Sequence, residues 1–134
     1  MTLKEYRTLF NTSLSELYPK TEIDTFLILL IEEYLGLTRV DLVIKADFEI
    51  EDSKLIILNK ALERLQKEEP IQYIIGHTEF FGYPFFVNQN TLIPRPETEE
   101  LVAWVIDEVR NNSNYTNKQI SILDIGTGTG CIPI

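Results

Sequence analysis

The sequence has little cysteine and little positive charge. Cys131 is the only cysteine among 134 residues, so we expect neither a disulfide framework nor a metal cluster, which fits a reducing compartment. Lysine and arginine number 12 against 21 aspartate and glutamate residues, which gives a formal net charge of −9. This acid excess argues against direct binding of nucleic acid and against an anionic membrane as a partner.

Long apolar segments are also missing. No run approaches the ~20 residues that a membrane span requires, and no secretory signal is visible at Met1–Glu5. The hydrophobic fraction of 44% is nevertheless sufficient for a packed core. We therefore expect a soluble, cytoplasmic protein.

Apolar residues at helical spacing fill most of the first seventy positions. Four helices are predicted, bounded by residues typical of helix ends: Thr2 (with Glu5, a capping box) to Pro19, Thr21 to Gly36, a short one after Thr38, and Asp52 or Ser53 to Pro70. The second is apolar almost all round, which predicts that it lies in the middle of a bundle.

After Pro70 the pattern changes to β-prone residues at Ile71–Ile75 and in two aromatic runs. Glu79–Val87 is predicted to be a hairpin that turns at Gly82-Tyr83. His77, the only histidine, is expected to be a surface or hairpin residue rather than a catalytic base.

A final helix and a strand are predicted near the end of the sequence. The helix covers Glu97–Arg110, a polar loop follows over Asn111–Lys118, and Gln119–Asp124 is a short apolar strand. Four residues are expected on the buried face of the helix: Leu101, Trp104, Val105 and Val109. Because a central strand needs neighbours, we expect Ile120–Ile125 to be disordered, to pack against the helix, or to pair with another copy.

A glycine-rich turn follows the predicted strand, Asp124-Ile125-Gly126-Thr127-Gly128-Thr129-Gly130. A dinucleotide fingerprint would need glycine where Cys131 stands, and a P-loop would need a lysine that is absent. The D-x-G-x-G-x-G spacing resembles motif I of class I S-adenosylmethionine-dependent methyltransferases. That cofactor carries a sulfonium and an ammonium but no phosphate, which is compatible with Asp124. A connecting turn without a ligand remains the alternative. For Cys131, a packing role is expected.

Further segments resemble one methyltransferase family, HemK/PrmC, the peptide chain release factor N5-glutamine methyltransferases. They are Pro70-Ile71-Gln72-Tyr73-Ile74-Ile75-Gly76, Glu79-Phe80-Phe81-Gly82 and Leu92-Ile93-Pro94-Arg95-Pro96-Glu97-Thr98-Glu99-Glu100-Leu101-Val102. The resemblance is strong from Pro70 onwards, whereas the preceding helices resemble the family's small N-terminal bundle only in kind.

The resemblance implies a mainly α N-terminal helical bundle at 1–70 that engages the substrate and a β-hairpin linker at 71–91. The beginning of a class I, Rossmann-like α/β methyltransferase domain would follow at 92–134. It also implies S-adenosyl-L-methionine as cofactor. The methylated group would be the side-chain amide nitrogen of the glutamine in the Gly-Gly-Gln motif of class 1 peptide chain release factors, the expected protein partners.

Carried over from the family, the cofactor-binding residues are Asp124, Gly126, Thr127, Gly128, Thr129 and Gly130. Arg95 and Thr98 are placed near the cofactor's amino-acid end. Alternatively, Arg95 pairs with Glu97 or Glu99, and Thr98 caps the helix. The family's Asn-Pro-Pro-Tyr motif would lie beyond residue 134. We therefore expect no catalytic residue and no metal site in this sequence, and neither methyl transfer nor tight cofactor binding by the chain alone.

Two other functions remain open. An N6-adenine or other amino-group methyltransferase acting on nucleic acid shares the Asn-Pro-Pro-Tyr logic, although the net charge opposes it. The chain could also be a helical, non-catalytic protein-binding module.

Overall fold

The computed structural model of the chain describes residues 1–112, 115 and 119–134. It divides into two compact units, Met1–Ile75 and Gly76–Ile134. The first contains α1 (Leu3–Leu14), α2 (Lys20–Leu35), α3 (Asp41–Ile44), α4 (Asp52–Leu65) and α5 (Ile71–Ile75), and the second contains β1 (His77–Phe80), β2 (Tyr83–Phe86) and α6 (Thr98–Asn111). Among the described residues, no helix is long and apolar enough to cross a bilayer, and no cluster of acidic, histidine or cysteine side chains could hold a metal.

The start of α1 has the predicted capping box. The backbone N–H of Glu5 donates to Thr2 Oγ1 at 3.2 Å, and that of Thr2 donates to Glu5 Oε2 at 2.8 Å. The hydrogen bond from the Thr2 backbone lowers the pKa of the Glu5 carboxyl. Two backbone donors that the helix start leaves unpaired are thereby satisfied.

The first residues of the chain also pair with the segment that precedes α4. The backbone N–H of Leu3 donates to Phe48 O at 2.9 Å, and that of Ile50 donates to Met1 O at 3.1 Å. The amino group of Met1 lies 3.2 Å from Glu49 Oε2. This short antiparallel bridge between Thr2 and Glu49 connects the start of α1 to the segment that precedes α4.

The central position predicted for α2 is confirmed. It contacts α1, α4 and α5, and its buried residues are Ile23, Phe26, Leu27, Leu30 and Ile31. The helix ends at Gly36, whose φ of 65° is left-handed and whose N–H donates to Glu32 O at 3.2 Å. Buried side chains of all five helices form one core around α2.

The end predicted for α4 is wrong. The helix stops at Leu65 rather than at Pro70, because Glu68 adopts a left-handed φ of 59°. The N–H of Glu68 then donates to Leu65 O at 2.9 Å, and the N–H of Glu69 donates to Arg64 O at 3.2 Å. These two bonds form a Schellman turn with glutamate in the place that glycine usually takes.

The β-prone segment Ile71–Ile75 is a helix, which corrects the sequence interpretation. Pro70 precedes it, and the carbonyl of Pro70 accepts from the N–H of Tyr73 at 3.0 Å and of Ile74 at 3.3 Å. Ile71 and Ile74 are buried in the bundle core. Burial of one helical face therefore outweighs the weak β preference of isoleucine.

The predicted hairpin is formed, but its turn is one residue earlier than expected. β1 and β2 pair antiparallel with Phe80 opposite Tyr83, so Phe81 and Gly82 form the turn. Their φ values of 50° and 78° are both positive, as in the type I′ turn that matches the twist of paired strands. Phe80 is buried and contacts the ring of Phe85 edge-on.

The last predicted helix is confirmed as α6, but its expected burial is wrong. None of its residues is buried, and Trp104, expected in the core, is 70% exposed. The predicted strand over Gln119–Asp124 is also absent, since these residues have no regular structure. In the described part of the second unit only β1 and β2 pair, so this segment lacks the neighbours that a strand requires. The start of a Rossmann-like sheet thus remains a prediction. Most of the polar loop predicted over Asn111–Lys118 lies outside the described residues.

Candidate functional site

The glycine turn has a backbone that requires its glycines. Gly126, Gly128 and Gly130 have φ values of 77°, 57° and 77°, a region in which side chains with a Cβ are strained. The N–H of Gly130 donates to Thr127 O at 2.9 Å and closes the turn. The alternating spacing of the motif is thus a backbone requirement.

The surface of the turn is open. A Cβ added at Gly126 would meet no atom within 4 Å, and one at Gly128 would meet only Gly126 O, at 4.0 Å. Gly126, Thr127 and Gly128 are exposed. Crowding therefore does not explain the glycines, and the backbone is accessible to a ligand.

Asp124 has an unusual environment just before this turn. The residue is half-buried, and its Oδ2 atom is shielded from solvent without a hydrogen-bond partner among the described residues. A shielded carboxylate oxygen without a donor is costly. An ammonium or hydroxyl group of a ligand would supply that donor, so the residue fits the amino-acid end of S-adenosylmethionine.

The alternatives predicted for these residues were a helix cap for Thr98 and an ion pair with a glutamate for Arg95. Neither is found among the described residues. Thr98 is the first residue of α6 and does not cap it, because the N-cap position is Glu97 and no side chain bonds there. Arg95 is exposed, and none of the ion pairs of the described residues involves it. A cofactor role for either residue remains a prediction.

Glu99 has a role that the sequence interpretation missed. Its Oε1 atom accepts from the backbone N–H of Phe81 at 2.8 Å, so the first turn of α6 is bound to the hairpin turn. Phe81 has a positive φ and lies in the turn between β1 and β2, so the pairing of the two strands does not supply an acceptor for this N–H. No sequence signal indicates this contact, because the two residues are 18 positions apart.

The segment before Asp124 lies beside α6. Ile120, Ser121 and Ile122 line a groove of about 460 Å³ together with Trp104 and other residues of the helix. Packing against the helix, the second of the three expectations for the unpaired strand, stays a prediction, because Ile122 and Leu123 are 67% and 84% exposed. The groove is mainly apolar, and the glycine turn follows directly after it in the chain.

Comparison with known proteins identifies the family. Residues 9–76, half of the chain, match the model of the PrmC N-terminal domain. The release factor glutamine methyltransferase of Flavobacterium psychrophilum is 48% identical over 134 residues, 100% of this chain and 46% of the relative. The chain belongs to the PrmC family. A second relative, the release factor glutamine methyltransferase of Bacteroides thetaiotaomicron, is 41% identical over 122 residues, 91% of this chain and 41% of the relative.

The PrmC match refines the sequence interpretation. The family model covers α2 to α5 and the second half of α1, the region that resembled the family only in kind. The chain spans less than half the length of these curated relatives, 46% of the first and 41% of the second.

Proposed function

We propose that the protein to which this chain belongs methylates the glutamine side-chain amide of class 1 release factors, in their Gly-Gly-Gln motif. The two relatives that match 100% and 91% of the chain are named release factor glutamine methyltransferases, and this naming is the observation that carries the proposal. Action on release factors would place the protein in the cytoplasm.

S-adenosylmethionine is the proposed methyl donor, and when bound it supplies an electrophilic methyl group. Gly126 and Gly128 would let the backbone approach its methionine part, since the turn is open there, and Gly130, beside the side chain of Ile134, would close the same turn. The unpartnered Oδ2 of Asp124 would accept from its ammonium. Arg95 is exposed and available to its carboxylate.

The substrate amide is a poor nucleophile, because its nitrogen lone pair is delocalised into the carbonyl. Catalysis therefore depends on alignment and on fixed hydrogen bonds that favour the transition state. The family residues for this task, Asn-Pro-Pro-Tyr, do not occur in these 134 residues. We accordingly propose that this chain alone is inactive and contributes the substrate-binding bundle and the first part of the cofactor site.

Methylation of purified release factor by the full natural protein tests the proposal. Mass spectrometry should find one added methyl group on the peptide that contains Gly-Gly-Gln, only when S-adenosylmethionine is present. Methylation of adenine in DNA instead would favour a nucleic-acid methyltransferase. Binding of release factor with no transfer to any substrate would favour a non-catalytic module.

The cofactor role of Asp124 is tested by calorimetry on the full natural protein. Asp124→Asn should weaken S-adenosylmethionine binding about ten-fold or more, as loss of a charged hydrogen bond does. Asp107→Asn is the matched control, because Asp107 is an exposed carboxylate on α6, and it should leave the affinity unchanged. Equal affinities for Asp124→Asn and the unmodified protein would remove Asp124 from the site.

A further inference from the structure

Glu99 binds the hairpin turn to the first turn of α6. The residue is half-buried, and its Oε1 accepts from the backbone N–H of Phe81 at 2.8 Å. Phe81 has a left-handed φ of 50°, which is unfavourable for any residue with a Cβ. A backbone of this kind persists only where its surroundings hold it, and it is common near ligand sites. The bond to Glu99 supplies that restraint.

The same turn of α6 holds the backbone of Arg95. The N–H of Thr98 donates to Arg95 O at 3.0 Å, and the N–H of Glu99 donates to Pro96 O at 3.0 Å. The prolines on either side, Pro94 and Pro96, have a fixed φ. Arg95 is exposed, and it takes part in none of the ion pairs of the described residues. The backbone of this arginine is thus restrained, while its guanidinium group is available to an anion.

The course of the chain brings the glycine turn towards the same end of the helix. α6 ends at Asn111, so the segment that leads to Asp124 starts beyond its C-terminal end. Ile122 nevertheless lines a groove together with Leu101, which lies in the first turn of the helix. The segment therefore runs back along α6. Six residues of chain can span about 20 Å, as the 14 residues of the helix do. Asp124 thus comes towards the start of α6, within the same compact unit as Arg95.

We propose that Glu99 is a positioning residue for the cofactor site. Its bond to Phe81 fixes the first turn of α6, and with it the backbone from which Arg95 reaches the carboxylate of S-adenosylmethionine. This inference rests on the proposed function. The carboxylate and the ammonium of the cofactor are attached to one carbon, so Arg95 and Asp124 can bind both only if they are held a short distance apart. Arginine binds a carboxylate through two parallel hydrogen bonds that depend on orientation, and a restrained backbone lowers the entropic cost of forming them.

Calorimetry on the full natural protein tests this role with two ligands. S-adenosylmethionine carries the carboxylate, whereas 5′-methylthioadenosine shares the adenosine part and lacks the whole amino-acid end. Glu99→Ala should weaken the binding of S-adenosylmethionine about five-fold, since part of a charged hydrogen bond is lost, and leave the affinity for 5′-methylthioadenosine unchanged. Glu99→Gln should bind both ligands as the unmodified protein does, because glutamine keeps an acceptor oxygen.

The matched control is Glu100→Ala. Glu100 is the next residue of the same turn and is exposed, so its replacement removes an equal charge from the helix start without affecting the bond to Phe81. It should change neither affinity. Hydrogen exchange provides a readout without any ligand: the amide of Phe81 should exchange faster in Glu99→Ala than in Glu99→Gln or Glu100→Ala. Arg95→Gln, at an exposed position, should show the same selective loss of affinity, and Glu99→Ala should add nothing to it.

The remaining outcomes separate this inference from the proposed function. Equal weakening for both ligands, or an unchanged affinity for S-adenosylmethionine in Glu99→Ala or Arg95→Gln, would overturn the positioning role of Glu99 while leaving the proposed function in place. A further loss when Glu99→Ala is added to Arg95→Gln, or unchanged exchange of the Phe81 amide in Glu99→Ala, would also overturn it. Absence of both S-adenosylmethionine binding and methyl transfer in the unmodified protein would overturn the proposed function, and the inference with it.

Discussion

The two units of the chain differ in where their apolar side chains lie. In Met1–Ile75 the helices bury theirs in one core around α2. In the described part of Gly76–Ile134 only Phe80 and Val87 are buried, while Leu123 and Ile125 are 84% and 87% exposed. Helices bury apolar faces through neighbours close in sequence, whereas a parallel sheet depends on distant strands. The bundle therefore has a core of its own, whereas the described part of the second unit buries only two apolar side chains.

Deleting a large apolar side chain from each unit should give the largest contrast. Leu30→Ala, in the centre of the bundle, should lower the free energy of unfolding by about 2–5 kcal/mol. Trp104→Ala should change it by less than about 0.5 kcal/mol, because Trp104 is 70% exposed. Urea unfolding of this chain followed by circular dichroism measures both. Similar losses would contradict the difference between the units.

Left-handed glycines provide a smaller contrast. Gly36→Ala should cost about 1–2 kcal/mol, since alanine is strained at left-handed φ and Gly36, at 65°, ends the central helix of the bundle. Gly126→Ala has the same backbone strain at 77° but should leave urea unfolding unchanged, because the glycine turn adds nothing to the core. A large loss for Gly126→Ala would indicate that the second unit contributes to stability.

The starts of α1 and α6 allow a matched comparison of two threonines. Thr2→Ala should lower the free energy of unfolding by about 1 kcal/mol, the usual cost of a lost N-cap. Thr98→Ala should have almost no effect, because no side chain caps α6. Thermal or urea unfolding of both variants decides the point. If Thr98→Ala costs as much, the start of α6 is stabilised by that side chain after all.

The smallest expected effect is a loss of folding stability at low pH, which arises from one carboxyl group of the bundle, that of Asp41. Hydrogen bonds from the Thr38 backbone, Lys45 and the Thr38 hydroxyl lower the pKa of Asp41 from 3.8 to about 2. A carboxyl whose pKa is lower in the folded state stabilises that state above its unfolded pKa, and this contribution is lost as the pH falls from 4 to 2. Asp41→Asn should remove part of this loss, and NMR titration should place the Asp41 midpoint near 2.

Local signals predicted the ends of several helices. The Thr2 and Glu5 pair gave the start of α1, and Gly36 gave the end of α2, because both act through neighbouring backbone groups. The end of α4 was mispredicted because it depends on a left-handed Glu68, and glutamate carries no signal for that conformation. Ile71–Ile75 was misread because its helix depends on burial against α2 and α4.

The candidate site was also predictable where local backbone requirements decide the structure, and not where contacts distant in sequence decide it. The spacing of Gly126, Gly128 and Gly130 indicated a tight turn, and all three have the positive φ that only glycine adopts readily. The contact of Glu99 with Phe81 was not predictable, since it requires the hairpin and α6 to be folded together. The apolar spacing correctly predicted the helix α6. It did not indicate which part of the protein would pack against the apolar face of that helix.

The pairing of the first residues with the segment before α4 bears on how the protein is produced. An affinity tag placed ahead of Met1 would replace the ammonium that contacts Glu49 with an amide, and a surface ion pair of this kind is worth little. Deletion of three residues would instead remove the Thr2 cap, the two backbone hydrogen bonds to Phe48 and Ile50, and Leu3, which is only 1% exposed. We therefore expect extension at this end to have little effect on stability and trimming to destabilise the first helix.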